Sequence, residues 1–233
     1  MTKARRLVLT GLFLTVAPVF GAVTIDNITP WNGSTAQSVF GIGNTQTYGQ
    51  VITVPTGSSR LQSFAFEVRL QTTLAFRAEV YAWDGNKATG PALFEGPVTS
   101  TTSSAAYQLI TVNTGNLSVT SGAKYVLFLS SSKDNAGHSG LGIFGSPVGD
   151  LYSGGTFVFL NNGTDTTLWT STNWEARTDT DLAFSATFDD PPPPPPPGSP
   201  AGAPSLGEWG MIFLGSGLMV VAFRFLQKQR GTV

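Results

Sequence analysis

The sequence predicts an all-β fold, a jelly-roll-like antiparallel β-sandwich, set between an N-terminal signal helix and a single C-terminal membrane helix. Three observations predict the sandwich. Apolar and polar residues alternate in short runs over residues 23–190, Gly, Pro, Asn and Asp separate the runs, and no long helical period appears among them. About ten short strands in roughly 165 residues suit two packed sheets.

Taken in order, the chain opens on Lys3, Arg5 and Arg6, an apolar run over 7–20, and the small pair Gly21-Ala22. A charged start, an apolar centre and small residues at the end make residues 1–22 a secretory signal peptide, with the mature chain starting at Ala22 or Val23. Strands are expected at 48–54, 61–70, 74–83, 92–94, 107–113, 124–131, 140–144, 156–160, 167–170 and 181–188. Alternation is clearest where Phe64, Phe66, Val68 and Leu70 interleave with Glu67 and Arg69, and where Leu74, Phe76, Ala78 and Val80 interleave with Arg77 and Glu79. If Gln71-Thr72-Thr73 forms a hairpin loop, Leu70 lies opposite Leu74, Val68 opposite Phe76, and Glu67 opposite Arg77 on a solvated face.

Residues 191–203 begin with seven consecutive prolines and form a linker. A polyproline II helix rises about 3.1 Å per residue, so this stretch is a semi-rigid stalk of about 40 Å. The apolar run at 211–223 spans only about 20 Å as a helix; extension to 209–226 gives about 27 Å, just under the 30 Å hydrocarbon core. Arg224, Lys228 and Arg230 follow it as a basic stop and orient the preceding domain outward.

Composition narrows the function. There is no cysteine, which removes disulfides, thiol catalysis and thiolate metal sites. Residues 22–190 carry seven basic and thirteen acidic residues, a net of −6, so nucleic acid is not an expected partner. The single histidine, His138, sits in a glycine-bearing loop and reads as an exposed loop residue. Glu67 and Glu79 read as a solvated strand face with Arg69 and Arg77, not as a glycosidase pair. Asp84, Asn86 and Asp134 are weak candidates for a structural calcium ion; no other cofactor is expected. Tyr81, Trp83, Trp169 and Trp174 are candidates for stacking on sugar rings, with packing against a second sheet or a covering loop as the alternative.

The motif Pro204-Ser205-Leu206-Gly207-Glu208-Trp209-Gly210, followed by the apolar stretch and the basic end, resembles the IPTL-type C-terminal sorting signal, related to the PEP-type signals that exosortases process in Gram-negative bacteria making extracellular polysaccharide. The resemblance covers residues 203–230, with Ala203 in place of Ile and Ser205 in place of Thr. It implies a membrane-embedded exosortase-like transpeptidase as partner, a transient inner-membrane intermediate, and delivery to the cell surface or medium. This chain is then substrate, not enzyme. The stretch from Phe76 to Phe94 also resembles jelly-roll-like β domains of bacterial surface proteins with this class of anchor; it supplies no site residues. The expected function is a non-enzymatic surface or matrix protein whose β domain binds glycan. A secreted polysaccharide hydrolase and a purely structural module are the alternatives.

Overall fold

The computed structural model describes residues 22–43, 45–134 and 139–189. The signal segment, the linker, the 204–230 tail and His138 lie outside the described residues. Thirteen strands follow one another: β1 (Val23–Asp26), β2 (Ala36–Ile42), β3 (Thr45–Thr53), β4 (Arg60–Leu70), β5 (Leu74–Trp83), β6 (Ala88–Glu95), β7 (Thr99–Thr101), β8 (Gln108–Ser118), β9 (Lys124–Ser130), β10 (Ser139–Gly145), β11 (Phe157–Asn161), β12 (Glu175–Arg177) and β13 (Phe184–Phe188). One helical turn, α1 (Leu168–Ser171), precedes β12.

These strands form two antiparallel sheets. In the first, β1, β13, β4, β10 and β2 follow in that order, with β8 also on β4; in the second the order is β12, β11, β3, β9, β5, β6, with β7 on β5. Strand β4 organises the first sheet because both its edges are used. β8 pairs from Arg60 to Val68, while β13 pairs from Leu61 to Phe66 and β10 from Val68 to Leu70. The inward residues of both sheets meet in one core. Phe40, Phe66 and Phe144 from the first sheet pack with Tyr48, Leu127 and Leu129 from the second. Ring centroids stand 5.1 Å apart for Phe40 and Phe144 and 5.6 Å for Phe66 and Phe144, edge to face, the geometry aromatic quadrupoles prefer.

Asp181 accepts from Gln50 Nε2 at 2.7 Å and from the amides of Leu151 and Tyr152. Burial pushes its carboxyl up, and these donors pull it back. At the end of the domain Asp189 Oδ1 accepts from the amides of Ser59 and Arg60, each at 2.8 Å. That clamps the final residues to the Arg60 end of β4, and β1 runs beside β13 with Val23 opposite Phe188.

The hairpin expected between residues 61–70 and 74–83 does not form. β4 belongs to the first sheet and β5 to the second, so the residues between them cross from one sheet to the other. The Gln71 amide donates to Leu141 O, and Leu141 N donates to Thr72 Oγ1, tying the crossing to β10. Glu67 therefore does not face Arg77. Instead β5 pairs with β9, with Arg77 opposite Ser130 and Glu79 opposite Phe128, as well as with β6 and β7. Residues 167–170, expected as a strand, instead contain α1. Strands β1, β2, β7 and β12 were not legible from alternation, being short or interrupted by Gly, Ser and Thr.

Candidate functional site

Three of the four aromatic residues expected to stack on sugar are inside a second, smaller core. On the outer face of the second sheet Tyr81, Phe128, Val126, Val51 and Val158 form an apolar floor, and the segment around α1 covers it with Trp169 and Trp174. Trp169 is 2% exposed, Trp174 6% and Tyr81 8%, which leaves no ring face for a ligand. Trp169 Nε1 donates to Thr47 Oγ1 at 3.1 Å, and Trp174 Nε1 donates to Trp169 O at 2.9 Å. Trp83 is half-buried and meets Trp174 edge-on at 5.7 Å. The covering loop was the alternative that holds, and the stacking expectation is corrected for Tyr81, Trp169 and Trp174.

Beside this core lies an ionic network. Lys133 Nζ contacts Glu79 Oε1 and Glu95 Oε2, each at 2.8 Å, and sits 5.2 Å from the Trp169 ring centroid. Arg77 reaches Asp134 at 2.9 Å and Glu95 at 3.3 Å. Glu79 is fully buried, not solvated as expected, and its Oε2 has no hydrogen-bond partner. Burial pushes its carboxyl up; the hydrogen bond and charge of Lys133 oppose this. Glu79 and Glu95 stand opposite each other on β5 and β6, yet Lys133 bridges them and Glu79 has no access to a substrate. That arrangement holds structure and lacks the open acid of a glycosidase.

The weak calcium candidates are not brought together. Asp84 Oδ1 accepts from the amides of Asn86 and Lys87 at 2.8 and 2.9 Å, closing its own turn, and these bonds hold its carboxyl below the ordinary range. Asp134 is engaged by Arg77. Seven residues of extended chain separate Arg77 from Asp84, about 23 Å at 3.3 Å per residue, so the two carboxylates cannot share an ion. Among the described residues no group of three or more His, Asp or Glu is placed to hold a metal.

The outer face of the first sheet offers a different site. An open cleft of about 580 Å³ is lined by Arg69, Gln71, Ser103, Ser104 and Ala105. Arg69 stands on the outward parity of β4, and the chain entering β8 passes beside it. The Ser104 amide donates to Leu70 O at 2.8 Å, which fixes the serine wall. The Arg69 guanidinium lies over the Tyr107 ring, 5.2 Å from its centroid, and Tyr107 meets Trp31 edge-on at 4.8 Å. Trp31 is half-buried; its ring rests on Gly145, where an added Cβ would come within 2.7 Å of the ring carbons. Its Nε1 donates to Thr35 O at 2.9 Å, so the indole orientation is set from within the loop.

Two polar groups here are left without protein partners. Arg69 Nε and Tyr107 Oη are buried and make no hydrogen bond among the described residues. Burial pushes the Tyr107 phenol up, against the pull of Arg69, so it remains a neutral hydroxyl at physiological pH. A planar cation backed by an aromatic ring and a serine-rich wall offer a sugar directional donors for its hydroxyls, with the Tyr107 and Trp31 rings adjoining the cleft. The sequence pattern showed Arg69 as one charge of a strand face, and Trp31 did not stand out in it. Tyr107 at the start of an expected strand, two residues before exposed Leu109, was the available signal.

No protein-family model matches the chain, and no curated protein matches it. Two solved structures are similar in outline. One contains the cysteine protease and lectin-like domains of Cwp84, a surface-layer-associated protein of Clostridium difficile, at 13% identity and TM-score 0.43, covering 63% of this chain and 32% of that one. The other is a clostridial Cwp84 structure after propeptide cleavage, at 14% identity and TM-score 0.44, covering 68% and 38%. This chain thus spans well under half the length of either.

Proposed function

We propose that the protein is an exported cell-surface or extracellular-matrix component, a substrate of an exosortase-like transpeptidase, whose jelly-roll-like β domain binds glycan without catalysing a reaction. The observation carrying the binding reading is the cleft of Arg69, Gln71, Ser103 and Ser104, with Arg69 stacked on Tyr107 beside it and the unpartnered Arg69 Nε and Tyr107 Oη. Its position supports the reading. Asp189 leaves the domain at the Arg60 end of β4, and Arg69 stands nine residues along the same strand, about 30 Å away at 3.3 Å per residue. The cleft is therefore remote from Asp189, the last of the described residues. Tyr81, Trp169 and Trp174 support the fold of the domain and take no part in binding.

A screen of the full chain against neutral and acidic glycans tests the reading, with Trp31→Ala as the control variant. Binding by the native chain is expected, with a loss of about 2- to 12-fold in the variant, since one aromatic contact contributes about 0.5–1.5 kcal/mol. Absence of binding to every glycan would leave the structural-module alternative. The sorting reading rests on Pro204, Ser205, Leu206, Glu208, Trp209 and Gly210, with Arg224, Lys228 and Arg230 behind them. Replacing Pro204 and Trp209 together is expected to leave the protein membrane-retained and unprocessed; maturation at unchanged size and rate would overturn it.

A further inference from the structure

Resting on the glycan reading above, we infer that the cleft selects a saccharide bearing an anionic group, a uronate carboxylate or a sulfate ester, held by the Arg69 guanidinium while the sugar ring lies along the Tyr107 and Trp31 side.

Arg69 is a half-buried cation with no counter-ion. Its side chain makes no hydrogen bond or ion pair among the described residues and rests on the Tyr107 ring. By contrast Arg77 and Lys133 are each committed to two carboxylates. Glu67, two positions earlier on the same face, forms no ion pair with Arg69, and the other cleft residues, Gln71, Ser103, Ser104 and Ala105, carry no charge. A guanidinium removed in part from water and left unpaired is costly, and a planar two-oxygen anion is the group its fork geometry matches. Stacking on Tyr107 holds that plane in place before a ligand arrives.

The domain as a whole is acidic, with a net of −6 over residues 22–190, which opposes a polyanion at long range. At physiological ionic strength that opposition is screened beyond about 8 Å, whereas a guanidinium in contact with an anion is not. The local cation therefore decides, and the ligand is expected to bind through one charged sugar with neutral residues beside it on Gln71 and the serines.

The test compares polygalacturonate with the same polymer after its carboxyl groups are reduced to alcohols, and dextran sulfate with dextran, each against the full chain by affinity electrophoresis and calorimetry. The charged polymer of at least one pair is expected to bind at least tenfold more tightly than its neutral counterpart, and the tighter of the two assigns carboxylate or sulfate. Arg69→Gln is expected to remove that preference, a change on the order of 10- to 100-fold for one charged hydrogen-bonded contact. Arg69→Lys is expected to restore part of it. Thermal melting of both variants is expected to match the native chain, since the Arg69 side chain holds no hydrogen bond among the described residues. Equal binding of charged and neutral polymers overturns the anionic assignment and leaves the glycan reading standing. Undiminished preference in Arg69→Gln overturns the assignment to this cleft. Failure of every polymer, together with a negative glycan screen, overturns both.

Discussion

Trp169→Ala is expected to lower the unfolding free energy of the domain by about 3–5 kcal/mol, the usual cost of removing a large buried aromatic side chain. The ring is 2% exposed, packs edge-on against Tyr81 at 6.0 Å and Phe128 at 5.1 Å, and lies beneath Lys133. Its indole N–H also donates to Thr47 Oγ1, a group that keeps Ser130 and Asn162 as partners when the indole is gone. The loss is therefore mostly packing and cavity, not an orphaned hydroxyl. For a domain of this size the midpoint of thermal unfolding is expected to fall by about 6–20 °C. Glycan binding, measured below the new transition, is expected to be unchanged. The reverse pattern, a nearly unchanged melt with lost binding, would mean that the loop carrying α1 lifts away to expose the ring.

Lys133→Met is expected to cost about 3 kcal/mol. Removing one partner of a buried ion pair typically costs 3–5 kcal/mol, and Lys133 is itself 30% exposed, which places it at the low end. Glu79 then keeps a fully buried carboxylate with no donor on either oxygen. The sign of the pH dependence follows from the direction of its shift. Burial raises Glu79 above its ordinary value of 4.5, so the folded chain holds this proton more tightly than the unfolded chain. The stabilisation this gives is fully present below pH 4.5 and is lost as pH rises through the raised value. Lys133 pulls that value down, so its removal widens the window, and the variant is expected to approach the native stability on acidification. Urea unfolding from pH 4 to pH 8 checks this. A further Glu79→Gln change in the Lys133→Met background is expected to recover most of the loss; no recovery would mean that the lysine stem, not its charge, supports the site.

Alternation in the sequence identified which side chains point inward on β4 and β5, and Phe64, Phe66, Val68, Leu70, Leu74, Phe76 and Val80 all do so. It could not identify neighbours. Two strands with apolar even positions look the same whether they pair in one hairpin or face each other across a core, and here the Gln71 to Thr73 crossing made the second choice. The helical turn at Leu168–Ser171 was misread because Thr, Leu and Trp are common in strands, and its shape is set by the apolar floor beneath it.

The candidate cleft was less legible for the same reason. Arg69, Ser103, Ser104 and Tyr107 are distributed over β4 and the approach to β8, and Trp31 arrives from the other end of the sequence. The sequence by itself determined the all-β class, the inward face of the longest strands and the export and sorting expectations, because periodicity, charge order and short motifs are properties of neighbouring residues. Only the tertiary structure decided which outward aromatics are covered and which stay open. That choice depends on where a distant loop comes to rest: over Tyr81 the segment around α1 finds an apolar floor large enough to bury two tryptophans, while beside Arg69 the polar wall of Gln71, Ser103 and Ser104 offers no such surface and leaves the cleft open.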